Sequence, residues 1–129
     1  MANEHVLLIE DDEKNRKLAR DILLFRGYRV SEAESAEAGL AIAAADPPAL
    51  VIMDIELPGI DGIEALARLR AGEATRGIPV IAFTASVMPG ERSTIMDAGF
   101  DAFLPKPIAI REFTDTVARQ IARPTGRAP

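Results

Sequence analysis

The 129-residue chain is 48% hydrophobic, enough for one domain around a single core and too apolar for a disordered polymer. With 15 Lys and Arg against 20 Asp and Glu the net charge is −5, which argues against a basic face for nucleic acid. No cysteine is present, so disulfides, thiolate metal centres and cysteine nucleophiles are excluded.

The opening Met1-Ala2-Asn3-Glu4-His5 lacks the basic start and apolar run of a signal peptide. No apolar stretch nears the roughly 20 residues that a bilayer needs. A soluble, cytoplasmic protein is expected, with neither a nucleic-acid nor a membrane partner.

Short apolar runs alternate with amphipathic stretches five times. His5–Glu10 reads as a buried strand, β-branched at Val6 and Ile9 and ending in acids. Leu18, Ile22 and Phe25 then fall at helical spacing, and Gly27 sits where a helix stops. Tyr28–Ala33 is a second strand, and Ser35 an N-cap for an alanine-rich helix ended by Asp46-Pro47-Pro48. Ala49–Asp54 is apolar without alternation, as expected of a strand covered on both faces.

Leu57-Pro58-Gly59-Ile60-Asp61-Gly62 carries turn residues, and Ile63, Leu66 and Leu69 mark a third helix. Pro79–Thr84 is the fourth strand, with its proline at the start, where a missing N–H is tolerated. A fourth helix is expected from about Pro89 to Ala98 and a fifth strand over Phe100–Leu104. Ile110, Phe113, Val117 and Ile121 are spaced for a last helix, and 123–129 reads as a frayed tail after a domain spanning 1–122. Met88 and Met96 read as packing residues, and His5, at a strand's start, as structural.

Five βα units joined by short loops imply an α/β fold, a doubly wound parallel sheet with helices on both faces. Ligands of such sheets sit beyond the carboxyl ends of the strands. Glu10, Asp11, Asp54, Thr84 and Lys106 all fall at such ends. Three carboxylates about 5 Å apart would repel by roughly 3 kcal/mol per pair at an effective dielectric near 20. A hard divalent cation removes that repulsion, and an oxygen-only donor set suits Mg²⁺ or Mn²⁺ better than zinc. An EF-hand is disfavoured, because Ala65 stands where its bidentate glutamate belongs. Asp54, on the most apolar strand, is placed to act as a nucleophile toward a phosphoryl group. The Lys106 ammonium and the Thr84 hydroxyl could then meet the phosphoryl oxygens.

Glu10-Asp11, Asp54, Thr84 and Lys106-Pro107 together resemble the signature of the response-regulator receiver domain, over residues 5–122. Supporting matches are Met53-Asp54-Ile55-x-Leu57-Pro58-x-x-Asp61-Gly62, Thr84-Ala85-x-x-Met88-x-Gly90 and Ala98-Gly99-x-Asp101-x-Phe103-x-x-Lys106-Pro107. The resemblance implies a CheY-like, flavodoxin-like sheet of five parallel strands in the order 2-1-3-4-5. It also implies that Asp54 accepts a phosphoryl group from a sensor histidine kinase or a histidine phosphotransfer protein.

By the same resemblance Glu10, Asp11, Asp54 and the Glu56 carbonyl would hold Mg²⁺, with Asp12 as a helix cap. A shift of the acidic pair to Asp11-Asp12 is the alternative. Thr84 and Phe103 would form a switch acting on the surface of the fourth helix, fifth strand and fifth helix. The Lys106-Pro107 bond would be cis. Glu56 and Ser86 would set the lifetime of the phosphoryl group, Glu56 by repelling water, orienting it or pairing with Lys106. The compact length and the pattern at Met88 look like stand-alone receivers of the DivK type, known as cell-cycle and polarity regulators that bind sensor kinases. A downstream protein target is expected, with the chain a monomer or a phosphorylation-dependent dimer.

A phosphorelay shuttle with the same chemistry is the nearest alternative. A haloacid-dehalogenase-like phosphatase would want an Asp where Glu56 stands. The hydroxyl-rich phosphate loop of a flavodoxin-like flavin binder does not match Glu10-Asp11-Asp12-Glu13.

Overall fold

A computed structural model describes residues 3–57, 59–85 and 89–122. Five strands, β1 (His5–Ile9), β2 (Arg29–Ala33), β3 (Leu50–Asp54), β4 (Val80–Thr84) and β5 (Ala102–Pro105), alternate with five helices. The helices are α1 (Glu13–Phe25), α2 (Ala36–Ala45), α3 (Gly62–Ala71), α4 (Pro89–Asp97) and α5 (Ile110–Ala122). The sheet is parallel throughout, in the order β2-β1-β3-β4-β5. This is the doubly wound α/β architecture expected from the alternation.

Each central strand sends alternate side chains to opposite faces, and both faces are buried. Val6, Leu8, Leu50, Ile52, Ile81, Phe83 and Leu104 pack with Ala19 and Leu23 of α1 and Phe113 and Val117 of α5. Leu7, Ile9, Val51, Met53, Val80 and Ala82 pack on the other face with α2, α3 and Ile95 of α4. Two layers of helices therefore explain strands with no polar alternation.

The helix stripes differ in register from those read in the sequence. On α1, Leu18 is partly exposed and Phe25 is 88% exposed, while Ala19 and Leu23 face the sheet. Phe25 lies two residues beyond Leu23, about 200° around the axis, so it must point away from the sheet. Likewise Ile63 is exposed beside buried Ala65, Leu66 and Leu69. Ile110 is 58% exposed at the first turn of α5, and the expected packing role of Met96 is taken by buried Ile95. Alanine was the misleading residue: it does not stand out in a search for large apolar groups, yet it lets a helix approach a sheet closely.

Local signals behaved as their chemistry dictates. Asp12 caps α1, accepting from the Lys14 and Asn15 N–H groups, and Ser35 caps α2 through the Ala38 N–H. Gly27 follows α1 at φ +93°. The β3–α3 turn is closed by Gly62 N–H donating to the Ile55 carbonyl at 3.2 Å. A Cβ on Gly62 would lie 2.6 Å from Ile55 Cα, so glycine serves close backbone approach there. The turn that follows Asp54 therefore has no room for a side chain at its closing position.

Candidate functional site

The sheet order reverses between β1 and β3, which leaves a crevice at the carboxyl ends of those neighbours. Glu10 and Asp11 follow β1, Asp54 is the last residue of β3, Thr84 the last of β4, and Lys106 follows β5. Parallel strands with aligned ends bring these groups together although they come from four segments.

The Lys106 ammonium joins two carboxylates. Its Nζ donates to Asp54 Oδ2 at 2.8 Å and lies 2.9 Å from Glu10 Oε1, a close ion pair misaligned for a hydrogen bond. The other Asp54 oxygen, Oδ1, accepts the Glu56 N–H at 2.8 Å. Glu10 Oε2 accepts the Asp12 N–H at 3.0 Å. Glu10 is 0% and Asp54 3% exposed, whereas Asp11 is exposed and opens the pocket to solvent. Lys106 also stands over the Phe83 ring, 5.1 Å from its centroid, a cation–π contact that steadies the ammonium.

Burial pushes the Glu10 carboxyl up to about 7; contacts with Lys106 and the Asp12 N–H oppose the shift, and the Asp54 charge adds to it. Burial alone would lower Lys106, but its contacts with Asp54 and then Glu10 outweigh that and raise it, keeping the ammonium charged. The sign for stability follows. Between about pH 4.5 and 7 the folded, metal-free protein retains a proton that the unfolded chain has released, so rising pH costs stability across that window. A cation at the site would take over the proton's role. Thermal unfolding at about pH 5.5 and 8 should therefore show a larger Mg²⁺-induced rise in Tm at the higher pH. Glu10→Gln should flatten this difference, and an undiminished difference in that variant would assign the pH dependence elsewhere.

One carboxylate oxygen each from Glu10, Asp11 and Asp54 lies within 4.8 Å of the others. This oxygen-only, partly open cluster fits a small hard cation that keeps some of its waters. Asp12 Oδ1 accepts both capping hydrogen bonds, from the Lys14 and Asn15 N–H groups.

Thr84 is fully buried, and its carbonyl accepts the Lys106 N–H at 2.8 Å. Phe103, on β5, is half-buried against the α2–α3–α4 side of the core. The Lys106-Pro107 bond is cis. The Glu56 side chain is exposed, while the Lys106 ammonium is engaged by Asp54 and Glu10. Ser86 and Met88 lie outside the described residues.

One supporting residue, Phe83, had escaped the sequence reading, and another, Asp101, had figured there only as a motif match without a contact. Phe83 forms the floor beneath Lys106; an aromatic just before a strand-end threonine could have suggested it. The side chain of Asp101, buried just before β5, accepts from Val80 N–H at 2.8 Å and Arg70 Nη2 at 2.9 Å, tying β5 to β4 and α3. Nothing local marks that pairing, because its partners lie 21 and 31 residues away.

Comparison with known proteins agrees with the geometry. The family model of the response regulator receiver domain matches residues 6–118. The chain is 38% identical over 112 residues to the polar-differentiation response regulator DivK of Brucella ovis, covering 87% of this chain and 91% of that protein. It is also similar to the receiver domain of a sensor histidine kinase from Pseudomonas aeruginosa PAO1, with a TM-score of 0.87 and 30% identity over 94% of this chain and 99% of that one. That structure has a magnesium ion coordinated in its active-site cleft. A CheY-like response regulator receiver domain protein from Methanospirillum hungatei JF-1 matches with a TM-score of 0.83 and 27% identity, over 92% of this chain and 94% of that one.

The chain belongs to the response regulator receiver domain family, whose general role is to accept a phosphoryl group in two-component signalling. Among the described residues, no helix is long and apolar enough to cross a membrane.

Proposed function

We propose that Asp54 accepts a phosphoryl group from a phosphohistidine on a sensor histidine kinase or a histidine phosphotransfer protein, and that this switches a protein-binding surface. The observation that carries the proposal is the Lys106 ammonium, 2.8 Å from Asp54 Oδ2 and 2.9 Å from Glu10 Oε1 in a largely buried pocket. An Asp54 oxygen attacks phosphorus, a P–O bond forms, and the P–N bond breaks. The imidazole leaves with the bonding pair, neutral when its other nitrogen carries a proton.

Glu10, Asp11, Asp54 and the Glu56 carbonyl are the groups that would hold Mg²⁺; Mn²⁺ suits the same oxygens. Bound there, the cation supplies positive charge to the clustered carboxylates and to the phosphoryl oxygens. The chain's own residues do the rest. The Glu56 N–H and the Lys106 ammonium each hold one Asp54 oxygen and so orient the carboxylate. Once Asp54 becomes an acyl phosphate its charge moves outward, and Lys106 and the Thr84 hydroxyl follow it to the phosphoryl oxygens.

Motion of Thr84 opens room for Phe103, and the phosphoryl group biases an equilibrium between two arrangements of the α4–β5–α5 surface. The protein is thus a switch that assists its own phosphorylation and dephosphorylation rather than an enzyme acting on a separate substrate. Similarity to a polar-differentiation response regulator supports a signalling role; in this reading the protein is cytoplasmic and acts on a downstream protein through a receiver of residues 1–122 followed by 123–129, as a monomer or a phosphorylation-dependent dimer. With radiolabelled acetyl phosphate, uptake should approach about one phosphoryl group per chain when Mg²⁺ is present and vanish with EDTA. Uptake indifferent to chelation would contradict the metal-assisted reading.

A further inference from the structure

We propose that Arg16 is a positioning residue for the metal site, acting through the main chain of Glu10; this rests on Glu10 and Asp11 serving as ligands. Arg16 lies one turn into α1 and reaches back to the end of β1, where its Nη1 donates to the Glu10 carbonyl at 3.0 Å. Its Nε lies 3.3 Å from Glu32 Oε1 on β2, and its Nη2 lies 3.9 Å from Glu34 Oε2. Glu32 is held in turn by Arg20 Nη1, which donates to both of its oxygens at 3.2 Å.

The Glu10 N–H donates to the Ala33 carbonyl of β2 at 3.0 Å. The peptide groups on both sides of the Glu10 Cα are therefore fixed, one by the sheet and one by a guanidinium braced between α1 and β2. The Glu10–Asp11 peptide sets where both carboxylates project. Arg16 is thus the side chain that orients the acidic pair without touching the cation.

Charge and geometry make opposite demands here, and that separates a positioning role from a merely electrostatic one. A guanidinium beside a cation site repels the cation, so by Coulomb's law alone its removal should tighten Mg²⁺ binding. Loss of the brace should weaken it, because groups that orient metal ligands typically change affinity by about 10–100-fold.

Isothermal titration of the full chain with MgCl₂, at fixed pH and ionic strength, decides between them when paired with melting temperatures taken without metal. Arg16→Met should weaken Mg²⁺ binding by about 10-fold. Arg16→Lys keeps the charge but cannot bond the Glu10 carbonyl and Glu32 at once, and should weaken it by about 3-fold. Binding by Arg16→Met as tight as wild type or tighter, with only the metal-free Tm lowered, would reduce Arg16 to a structural tie and overturn the proposal. Should Arg16→Met not fold, unchanged affinity in Arg16→Lys overturns it equally. Glu10→Gln is run beside them: wild-type affinity in that variant, or no saturable heat in the wild type, would sink the metal reading itself and with it this inference.

Discussion

Asp54→Asn should lower phosphoryl uptake by more than about 100-fold, because a carboxamide is no nucleophile toward phosphorus. The fold should survive the change. The carboxamide keeps one oxygen for the Glu56 N–H, and Lys106 keeps its ion pair with Glu10. Removing one of three clustered negative charges also relieves the repulsion that helps raise the Glu10 carboxyl. The metal-free Tm should therefore stay level or rise, while the stabilisation by Mg²⁺ shrinks. Acetyl phosphate labelling and calorimetric melting on the same preparations check both halves. A variant that lost labelling because it had unfolded would leave the role of Asp54 unsupported.

Lys106→Met should have the largest effect on stability. The ammonium is 14% exposed and faces two buried carboxylates, and leaving such partners without their counter-charge costs about 3–5 kcal/mol. Taking the lower end, because the lysine is not fully enclosed, a chain of this size should lose roughly 10 °C in Tm at about pH 8 without metal. Methionine retains most of the packing on Phe83, so the loss isolates charge rather than volume.

Two conditions should shrink the deficit. Mg²⁺ supplies replacement charge, and a pH near 5.5 keeps Glu10 protonated, its carboxyl lying at about 7. Differential scanning calorimetry under the three conditions is the measurement. A deficit of equal size in all of them would make Lys106 a packing residue and not the electrostatic partner of the pocket.

Much of this was legible from residue order. Strand-end acids were readable because a parallel sheet forces the carboxyl ends of strands together, so position along the chain implies position in space. Gly27 and Ser35 were readable because caps are local, and Asp54 because a carboxylate has no reason to end an otherwise apolar strand. Helix faces were harder. Leu18, Phe25 and Ile110 look like core residues by size, but the sheet accepts Ala19 and Leu23 instead, and only the approach distance of helix and sheet decides that.

The Arg16 clasp and the Asp101 latch were illegible for another reason. Each joins a side chain to a main-chain group, and sequence carries no record of which carbonyl or N–H a distant residue will meet. The contact of Arg16 with the Glu10 carbonyl is a tertiary fact. Asp12 was legible as a cap for the same local reason as Ser35, its Oδ1 accepting the Lys14 and Asn15 N–H groups.

The most direct test is to trap the covalent product. After phosphorylation by acetyl phosphate with Mg²⁺, borohydride reduction converts an aspartyl phosphate to homoserine, which peptide mass spectrometry locates. Homoserine at position 54 and at no other aspartate is the expected result. Homoserine at another aspartate, or none in protein that has taken up label, would contradict phosphoryl transfer to the carboxylate that Lys106 holds.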